Sequence, residues 1–156
     1  MSTKEKLVVE AIRSGTVVDH IPAERTLQVV ELLTGVQDCY FMGVNLHSTS
    51  VGRKGIIKLV NRRLNDQDLE ILAALAPEAT VNIIEEFDII EKKHLTVPHE
   101  VIGLFVCPNT RCITNHEAIV TRFRLGKSEH TCQYCERSFA VHRLKPRRWV
   151  EPLRAD

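Results

Sequence analysis

The segment GTVVDHIPAERTLQVVELLT, residues 15–34, decides the fold of the first half of the chain. Residues 16–20 are rich in β-branched side chains, which predicts a strand. Pro22 follows at a position typical of the first turn of a helix. Apolar residues then recur at three- and four-residue intervals: Leu27, Val30, Leu33. We therefore expect a strand that leads into an amphipathic helix over residues 22–34.

Further apolar segments surround this strand and helix. Residues 39–46 and 56–61 predict two strands, joined by a polar, glycine-containing loop over residues 47–55. Residues 80–90 are apolar and β-branched and predict one strand or two short ones. An extra extended segment, residues 7–12, precedes all of these elements.

A second helix is expected before the last of these strands. Asn65 and Asp68 form the pattern of a capping box, and the apolar residues behind them share one helix face until Pro77. The order is then strand, helix, strand, strand, helix, strand. It is typical of the ferredoxin-like split-βαβ arrangement, in which two helices cover one face of an antiparallel sheet.

The second part of the chain differs in charge and in cysteine content. Residues 1–97 carry 11 basic and 14 acidic side chains, whereas residues 98–156 carry 10 and 6. A change of sign near Val97 suggests two units. All cysteines except Cys39 lie in the second unit. We expect an α+β protein of two domains with these boundaries, the second being small, all-β and followed by a basic tail from about residue 143.

The four cysteines of the second domain form two close pairs, Cys107-x4-Cys112 and Cys132-x2-Cys135, with 19 residues between them. Two tight turns of this kind direct four thiolates at one ion, as in structural Zn²⁺ sites with no open position for water. Clustered cysteines in a cytosolic chain indicate metal binding rather than disulfides. We expect one structural Zn²⁺ per chain; iron remains an alternative, because a thiolate tetrahedron suits either metal.

Three histidines and the remaining cysteine are not needed as ligands. His116, His130 and His142 are expected to be exposed loop residues, although an imidazole in principle replaces a thiolate. Cys39 lies in a predicted strand and is expected to be a small core residue.

Polar and basic side chains interrupt or end the apolar strands of the first domain: Asp19, His20, Lys54, Lys58, Asn82, Lys92. In a split-βαβ sheet these strands are neighbours, so the side chains can converge on the face without helices. Lysines near a carboxylate, an imidazole and an amide suit a triphosphate and a ribose. The alternative is that each is a solvated edge residue, because lysines also protect sheet edges.

Composition and motifs exclude several classes of protein. A hydrophobic content of 44% argues against disorder, and no apolar run approaches the roughly 20 residues of a membrane span. The first residues do not form a signal peptide, so we expect a cytoplasmic protein. Motifs for a nucleophile–base pair or a glycine-rich phosphate loop are absent from the sequence. Residues 137–154 carry six basic side chains and Trp149, which keeps a zinc-ribbon nucleic-acid-binding regulator as an alternative function.

Several short segments together resemble one known family. They are VEAI (9–12), GTVVDHIP (15–22), GRK (52–54), IK (57–58), APEATVN (76–82) and CPNTRC (107–112). In this order, over about residues 6–140, they resemble the regulatory chain of bacterial and archaeal aspartate carbamoyltransferase. Arg111 is a departure, because enteric members carry a small polar residue there.

The resemblance implies a chain that is not itself catalytic. It would bind nucleotide effectors in its first domain and dock on a separate catalytic chain through its zinc domain. CTP is the implied inhibitor and ATP a competing activator, with UTP a third candidate. A homodimer of regulatory chains within a hetero-oligomer is implied, serving feedback control of de novo pyrimidine biosynthesis, with neither a membrane nor a nucleic acid as partner.

The resemblance also implies which residues contact the nucleotide. The base would meet backbone groups of three consecutive residues: Glu10, Ala11, Ile12. The triphosphate would meet three basic side chains: His20, Lys54, Lys92. Asp19 would face the ribose, and Lys58 would lie between ribose and base. Four residues near the end of the domain would line the pocket: Asn82, Ile84, Phe87, Ile89.

Overall fold

A computed structural model describes residues 10–35, 37–49 and 52–147. The chain divides into two compact units, Met1–Thr96 and Val97–Asp156. Two expectations fall partly outside the described residues: the start of the extended segment 7–12, and the basic tail from residue 148 onward, with Trp149.

The first unit is an α+β domain with a five-stranded antiparallel sheet. Its elements in chain order are β1 Gly15–Pro22, a 3-10 turn Ala23–Arg25, α1 Thr26–Leu33, β2 Tyr40–Ser48, β3 Gly52–Val60, α2 Asp66–Leu75, β4 Thr80–Glu85 and β5 Asp88–His94. The strand order is β2-β3-β1-β4-β5, and each neighbouring pair is antiparallel. The first four strands with their two helices form the predicted ferredoxin-like arrangement, and β5 extends it at one edge.

The first helix begins later than the proline signal suggests. Pro22 has extended backbone angles, φ −53° and ψ 133°, and pairs with Lys54 at the end of β1. A 3-10 turn follows, and α1 starts at Thr26. The prediction of a helix over residues 22–34 was therefore too long at its start, because strand pairing holds Pro22 in the sheet.

The predicted loop over residues 47–55 is mostly strand. β2 continues to Ser48 and β3 begins at Gly52, so Gly55 is inside β3. A Cβ at position 55 would lie 1.9 Å from the Thr26 Oγ1 atom, so Gly55 permits close packing of α1 against the sheet. This glycine therefore marks a close approach rather than a turn.

Two local predictions about the second half of the unit are confirmed. Asn65 and Asp68 form a capping box at the start of α2, with side-chain to backbone distances of 2.8 and 3.1 Å. Residues 80–90 form two strands rather than one. Glu86 and Phe87 join them with φ values of 47° and 69°, as in the primed turns that match the twist of a hairpin.

The core of the first unit lies between the helices and one sheet face. The fully buried side chains of the core include Val18, Ile21, Leu32, Leu33, Ile57, Leu59, Leu72 and Leu75. Val18 pairs with Ile57 and with Val81, so these three residues share the face that packs on the helices. The alternate residues of the same strands form the opposite face, which we call the open face.

The second unit consists of short strands and 3-10 turns. Its elements are β6 Glu100–Ile102, β7 Phe105–Val106, a turn Ile113–Asn115, β8 Arg122–Leu125, β9 Glu129–Cys132, β10 Ser138–Ala140, a turn Val141–Arg143 and β11 Lys145–Pro146. A four-stranded sheet has the order β10-β9-β8-β6, and β11 pairs with β7. The domain is all-β, as predicted.

The apolar segment over residues 101–106 is divided between two strands. Gly103, with φ 72°, separates β6 from β7, and the two strands join different sheets. Phe105 and Phe123 meet edge to face with ring centroids 5.9 Å apart and form the centre of this small core. Among the described residues, none of the helices has the length and apolar character to cross a membrane.

Candidate functional site

The four paired cysteines converge on one point in the second unit. Their Sγ atoms all lie within 4.8 Å of one another. The Sγ atoms of Cys107 and Cys135 are 3.7 Å apart, and those of Cys112 and Cys132 are 3.8 Å apart. A tetrahedron with Zn–S bonds of ~2.3 Å has edges of about 3.8 Å. The arrangement therefore fits a structural zinc ion with four protein ligands.

Local hydrogen bonds shape the turn between the first two cysteines. The Cys112 amide donates to the Asn109 carbonyl at 2.9 Å, and the Asn109 side chain accepts from the Arg111 amide at 3.1 Å. Asn115 Nδ2 donates to the carbonyl oxygens of Cys107 and Asn109 at 2.9 and 2.8 Å. These hydrogen bonds, made by residues of the turn and by Asn115 just after it, hold the turn closed. Such outer contacts orient the ligands toward the ion.

The second pair sits at the end of β9. The Cys132 amide donates to the Arg137 carbonyl at 3.0 Å, and the Glu136 amide donates to the Cys132 carbonyl at 2.8 Å. Glu136 adopts a left-handed conformation with φ 61°. The chain therefore folds back on itself immediately after Cys135, which brings both sulfurs to the same side of the turn.

Burial of the thiols adds a cost that a bound cation would have to offset. Burial raises the pKa of the Cys107 thiol and, by the same cause, that of Cys132. Burial acts likewise on Cys135, but hydrogen bonds from the Arg137 backbone and the Asn109 side chain bring its pKa to about 7. Buried thiols of this kind keep their protons unless a cation stabilises the thiolates. A divalent metal ion bound by all four thiolates would offset this cost.

Two expectations about residues outside this cluster were wrong. His130 is buried, with 2% of its surface exposed, and its ring stacks on Phe105 at 6.4 Å. It therefore belongs to the small core of the second unit, whereas His116 and His142 are exposed as expected. Cys39 is exposed and precedes β2 instead of lying in the core. Its apolar neighbours in the sequence, which suggested a buried strand, belong to an edge strand.

In the first unit, the register of the sheet brings polar residues together on the open face. Val17 of β1 pairs with Lys58 of β3 and with Asn82 of β4, and Asn82 pairs with Lys92 of β5. Side chains of directly paired residues lie on the same face of a sheet. Lys58, Asn82 and Lys92 therefore form one row across the open face.

A second group lies two residues further along β1. Asp19 forms an ion pair with Lys54, with Nζ–Oδ distances of 2.9 and 3.1 Å. His20 Nδ1 lies 3.2 Å from Thr80 Oγ1, and the His20 amide donates to Asp19 Oδ1 at 2.7 Å. The register of β1 against β3 shifts between Val18 and Ile21, and His20 has a φ of 60°. This irregularity brings Asp19 and His20 close to each other. Bulges often re-aim side chains at functional sites.

Two residues of the row are buried polar groups. Lys58 is 9% exposed, and its Nζ donates to the Glu10 carbonyl at 2.9 Å. Burial lowers the pKa of Lys58, against the opposing effect of Asp19. Asn82 is 8% exposed, and its Oδ1 atom has no hydrogen-bond partner among the described residues. A buried acceptor without a donor is costly, and it marks a point at which a ligand can donate.

The remaining candidates lie toward the other end of the open face. Ile84 pairs with Gly15 and with Ile89, and it is buried, whereas Ile89 and Phe87 are exposed. The amide of Phe87 donates to the carbonyl of Arg13 at 2.9 Å. Glu10 and Ala11 are exposed and Ile12 is buried. Residues 10–12 form no strand among the described residues, although extended structure was expected there.

Thr80 was not among the sequence candidates. It pairs with Asp19, contacts the His20 ring and lies two residues before Asn82 on the same face. Its alternation with Asn82 was visible in the sequence, but threonine is so common in strands that the pattern did not distinguish it. Only the register of β4 against β1 identifies it.

One arginine in the described part of the basic tail packs on an aromatic ring. The Arg143 guanidinium lies 5.4 Å from the centre of the Phe139 ring, a cation–π contact within the second unit. Residues 148–156 lie outside the described part of the chain.

The fold and these two sites define a class: a ferredoxin-like α+β domain followed by a small β domain with a four-cysteine metal centre. Two family models match the chain. Residues 7–96 match the allosteric domain of the aspartate carbamoyltransferase regulatory chain, and residues 99–145 match its metal binding domain.

Individual relatives agree with these models. The aspartate carbamoyltransferase regulatory chain of Porphyromonas gingivalis is 41% identical over 147 residues, covering 91% of this chain and 97% of that protein. That of Aeromonas hydrophila is 43% identical over 145 residues, covering 89% and 94%. That of Thermococcus sibiricus is 39% identical over 138 residues, covering 86% and 92%. The chain belongs to the family of aspartate carbamoyltransferase regulatory chains, and its role is regulatory rather than catalytic.

Proposed function

We propose that the open face of the first unit binds nucleoside triphosphate effectors of the CTP and ATP type, with UTP as a third candidate. The observation that carries this proposal is the row Lys58–Asn82–Lys92 beside the Asp19–Lys54 pair. Cations, a carboxylate and a buried unpartnered amide oxygen are the groups that a phosphorylated, hydroxyl-bearing ligand requires.

The nucleotide lies along β1, with its phosphates at the Asp19 end. There, His20, Lys54 and Lys92 supply positive charge or hydrogen-bond donors. The apolar residues Ile84 and Ile89 lie level with Gly15, four residues from Asp19. At ~3.3 Å per residue, this is a span of about 13 Å. The base occupies that apolar end, against Phe87 and the backbone of residues 10–12.

Binding rearranges one ion pair. Lys54 is held by Asp19 in the structure. A phosphate group competes for the Lys54 ammonium, and the Asp19 carboxylate is then free to accept hydrogen bonds from ribose hydroxyls. Asn82 Oδ1 gains a donor from the ligand, which removes the cost of its unpaired burial. Because CTP, ATP and UTP share the phosphate and ribose groups, they compete for this one site.

The effector signal reaches a separate catalytic chain through the second unit. The zinc centre holds the turn from Cys107 to Cys112 rigid, and this part of the unit provides the docking surface. A nucleotide shifts the activity of the assembly only by its difference in affinity for the two states, typically ~1–3 kcal/mol. The outcome is feedback control of de novo pyrimidine biosynthesis by a homodimer of regulatory chains within a hetero-oligomer.

The compartment that we propose is the cytoplasm. The described cysteines form no disulfide, and four thiols poised for zinc require a reducing environment.

The test is a calorimetric titration of the purified assembly of regulatory and catalytic chains with CTP, ATP and UTP, alongside activity curves. We expect saturable binding that shifts the substrate dependence of catalysis, and mutual competition between the nucleotides. Assemblies that bind none of the three, or whose activity is unchanged at saturation, would contradict the proposal.

A further inference from the structure

We propose that Thr114 is a positioning residue of the metal centre, whose hydroxyl donates a hydrogen bond to the Cys112 thiolate and so strengthens zinc binding. Thr114 Oγ1 lies 3.1 Å from Cys112 Sγ. Thr114 is not itself a ligand, and the spacing of the two cysteine pairs gives it no role. The inference rests on the four-cysteine centre and is independent of the proposed nucleotide site.

The backbone fixes Thr114 beside the ligand. Thr114 is the middle residue of the 3-10 turn Ile113–Asn115, which begins directly after Cys112. The Asn115 amide donates to the Cys112 carbonyl at 2.9 Å and closes this turn. A β-branched side chain has few rotamers, so the position of the backbone largely determines where the hydroxyl lies. The local fold therefore holds the Thr114 hydroxyl against the sulfur.

Burial makes this hydrogen bond more than a surface contact. Thr114 is 6% exposed and Cys112 is 2% exposed. A buried hydroxyl requires a partner, and here the partner is the sulfur. A thiol can donate or accept, but a metal-bound thiolate can only accept, so the hydroxyl is the donor in the occupied centre. A hydrogen bond to a charged acceptor is about twice as strong as one between neutral groups.

The charge of the occupied centre gives the hydrogen bond its role. Four thiolates outweigh the charge of one divalent ion, so the buried centre is negatively charged and gains from nearby donors. With the Thr114 hydroxyl at Cys112, each of the four sulfurs has a donor. The donors to the other three are the Asn109 amide at Cys107, the Tyr134 and Cys135 amides at Cys132, and the Arg137 amide with the Asn109 side chain at Cys135.

A matched control separates this role from simple packing. Thr121 is also buried in the second unit, with 3% of its surface exposed, and its hydroxyl donates to the Phe105 carbonyl at 2.6 Å. Thr121→Val therefore removes a buried hydroxyl hydrogen bond that does not reach a thiolate. Thr114→Val removes the donor at Cys112 while keeping the shape of the side chain, and Thr114→Ser keeps the donor.

The experiment uses the full chain and two measurements. Competition with a chelator of known affinity gives the zinc affinity, and the cobalt-substituted chain gives the wavelength of the thiolate-to-metal charge-transfer band. We expect Thr114→Val to bind zinc about tenfold more weakly. Its cobalt band should move to longer wavelength, because the sulfur electrons rise in energy without the donor. Thr114→Ser should match the wild type in both measurements, and Thr121→Val should leave the band where it is.

Two results would overturn the inference. Wild-type zinc affinity and band position in Thr114→Val would remove the hydroxyl from any role in metal binding. Equal losses of affinity in Thr114→Val and Thr121→Val, with neither band moved, would make Thr114 a packing residue. Thr114→Ala provides a second removal of the hydroxyl if the valine variant does not fold, and an unshifted band in the alanine variant would contradict the inference equally.

Discussion

The two sites of this chain are built in opposite ways. The metal centre comes from two short turns. Its ligands lie close together in the sequence, from Cys107 to Cys112 and from Cys132 to Cys135. The polar row of the open face comes from single residues of three strands, which only the register brings together. A local site depends on its ligands, whereas a distributed site depends on the integrity of the whole sheet.

The largest effect is expected at the metal centre. Cys132→Ser removes a fully buried ligand, and the free energy of binding structural zinc is of the order of 10 kcal/mol. We expect the variant to lose zinc, to unfold the second unit and to lose binding to the catalytic chain, while CTP binding by the first unit persists. Zinc content, hydrogen exchange and co-elution with the catalytic chain measure these outcomes.

The control for this prediction is Cys39→Ser, because Cys39 is exposed and outside the cluster. It should leave zinc content and assembly unchanged. If zinc-free Cys132→Ser protein still assembled with full affinity, the two regions would not have the separate roles given to them here.

The next effect concerns a charge on the open face. Lys92→Ala should weaken CTP binding by about tenfold, because a charge-assisted hydrogen bond contributes ~1.5 kcal/mol or more. Cytidine, which has no phosphate, should bind almost as before. Calorimetry with both ligands measures the ratio. Equal losses for CTP and cytidine would remove Lys92 from the phosphate end.

A smaller effect separates ligand binding from stability. Asn82→Leu replaces a buried side chain whose Oδ1 is unpartnered among the described residues by an apolar one of similar size. The ligand-free chain should gain about 1 kcal/mol in the free energy of unfolding, while CTP affinity falls. Urea unfolding and CTP titration of the same preparation test both halves. A loss of stability would mean that Asn82 has a structural role instead.

The smallest effect is a pH dependence in the same row. Burial lowers the pKa of Lys58 below its ordinary value of 10.5, so the folded state binds fewer protons than the unfolded state just below that value. The stability of the wild type should therefore rise with pH as it approaches 10.5, relative to Lys58→Met. Urea unfolding at pH 7 and pH 10 compares the two chains, and an opposite slope would contradict the assignment of burial as the cause.

The same contrast explains what could be predicted from the sequence. The cysteine spacing, the capping box at Asn65 and the alternation of strands and helices are local signals, and they predicted the metal centre and the fold class. The prediction of a loop over residues 47–55 was wrong because Gly55 lies within a strand. Its lack of a side chain allows Thr26 to pack closely, and this contact joins elements that are distant in sequence. The prediction that His130 is exposed was wrong for a similar reason, since its ring packs on Phe105, which is distant in sequence.

The open face shows more clearly what could not be predicted from the sequence. Each polar residue was visible in the sequence, but a solvated edge residue has the same pattern. Thr80 gave no signal that distinguished it from other threonines in strands, because its relation to Asp19 exists only in the paired strands.

The proposed nucleotide site extends across β1, β4 and β5 of the first unit. Hydrogen exchange of the zinc-loaded full chain, with and without saturating CTP, tests it most directly. We expect CTP to slow exchange at amides around Asp19, Asn82 and Lys92, and to leave the amides of β8 and β9 unchanged. Protection confined to residues 105–135, or no protection in the first unit at saturation, would contradict the account.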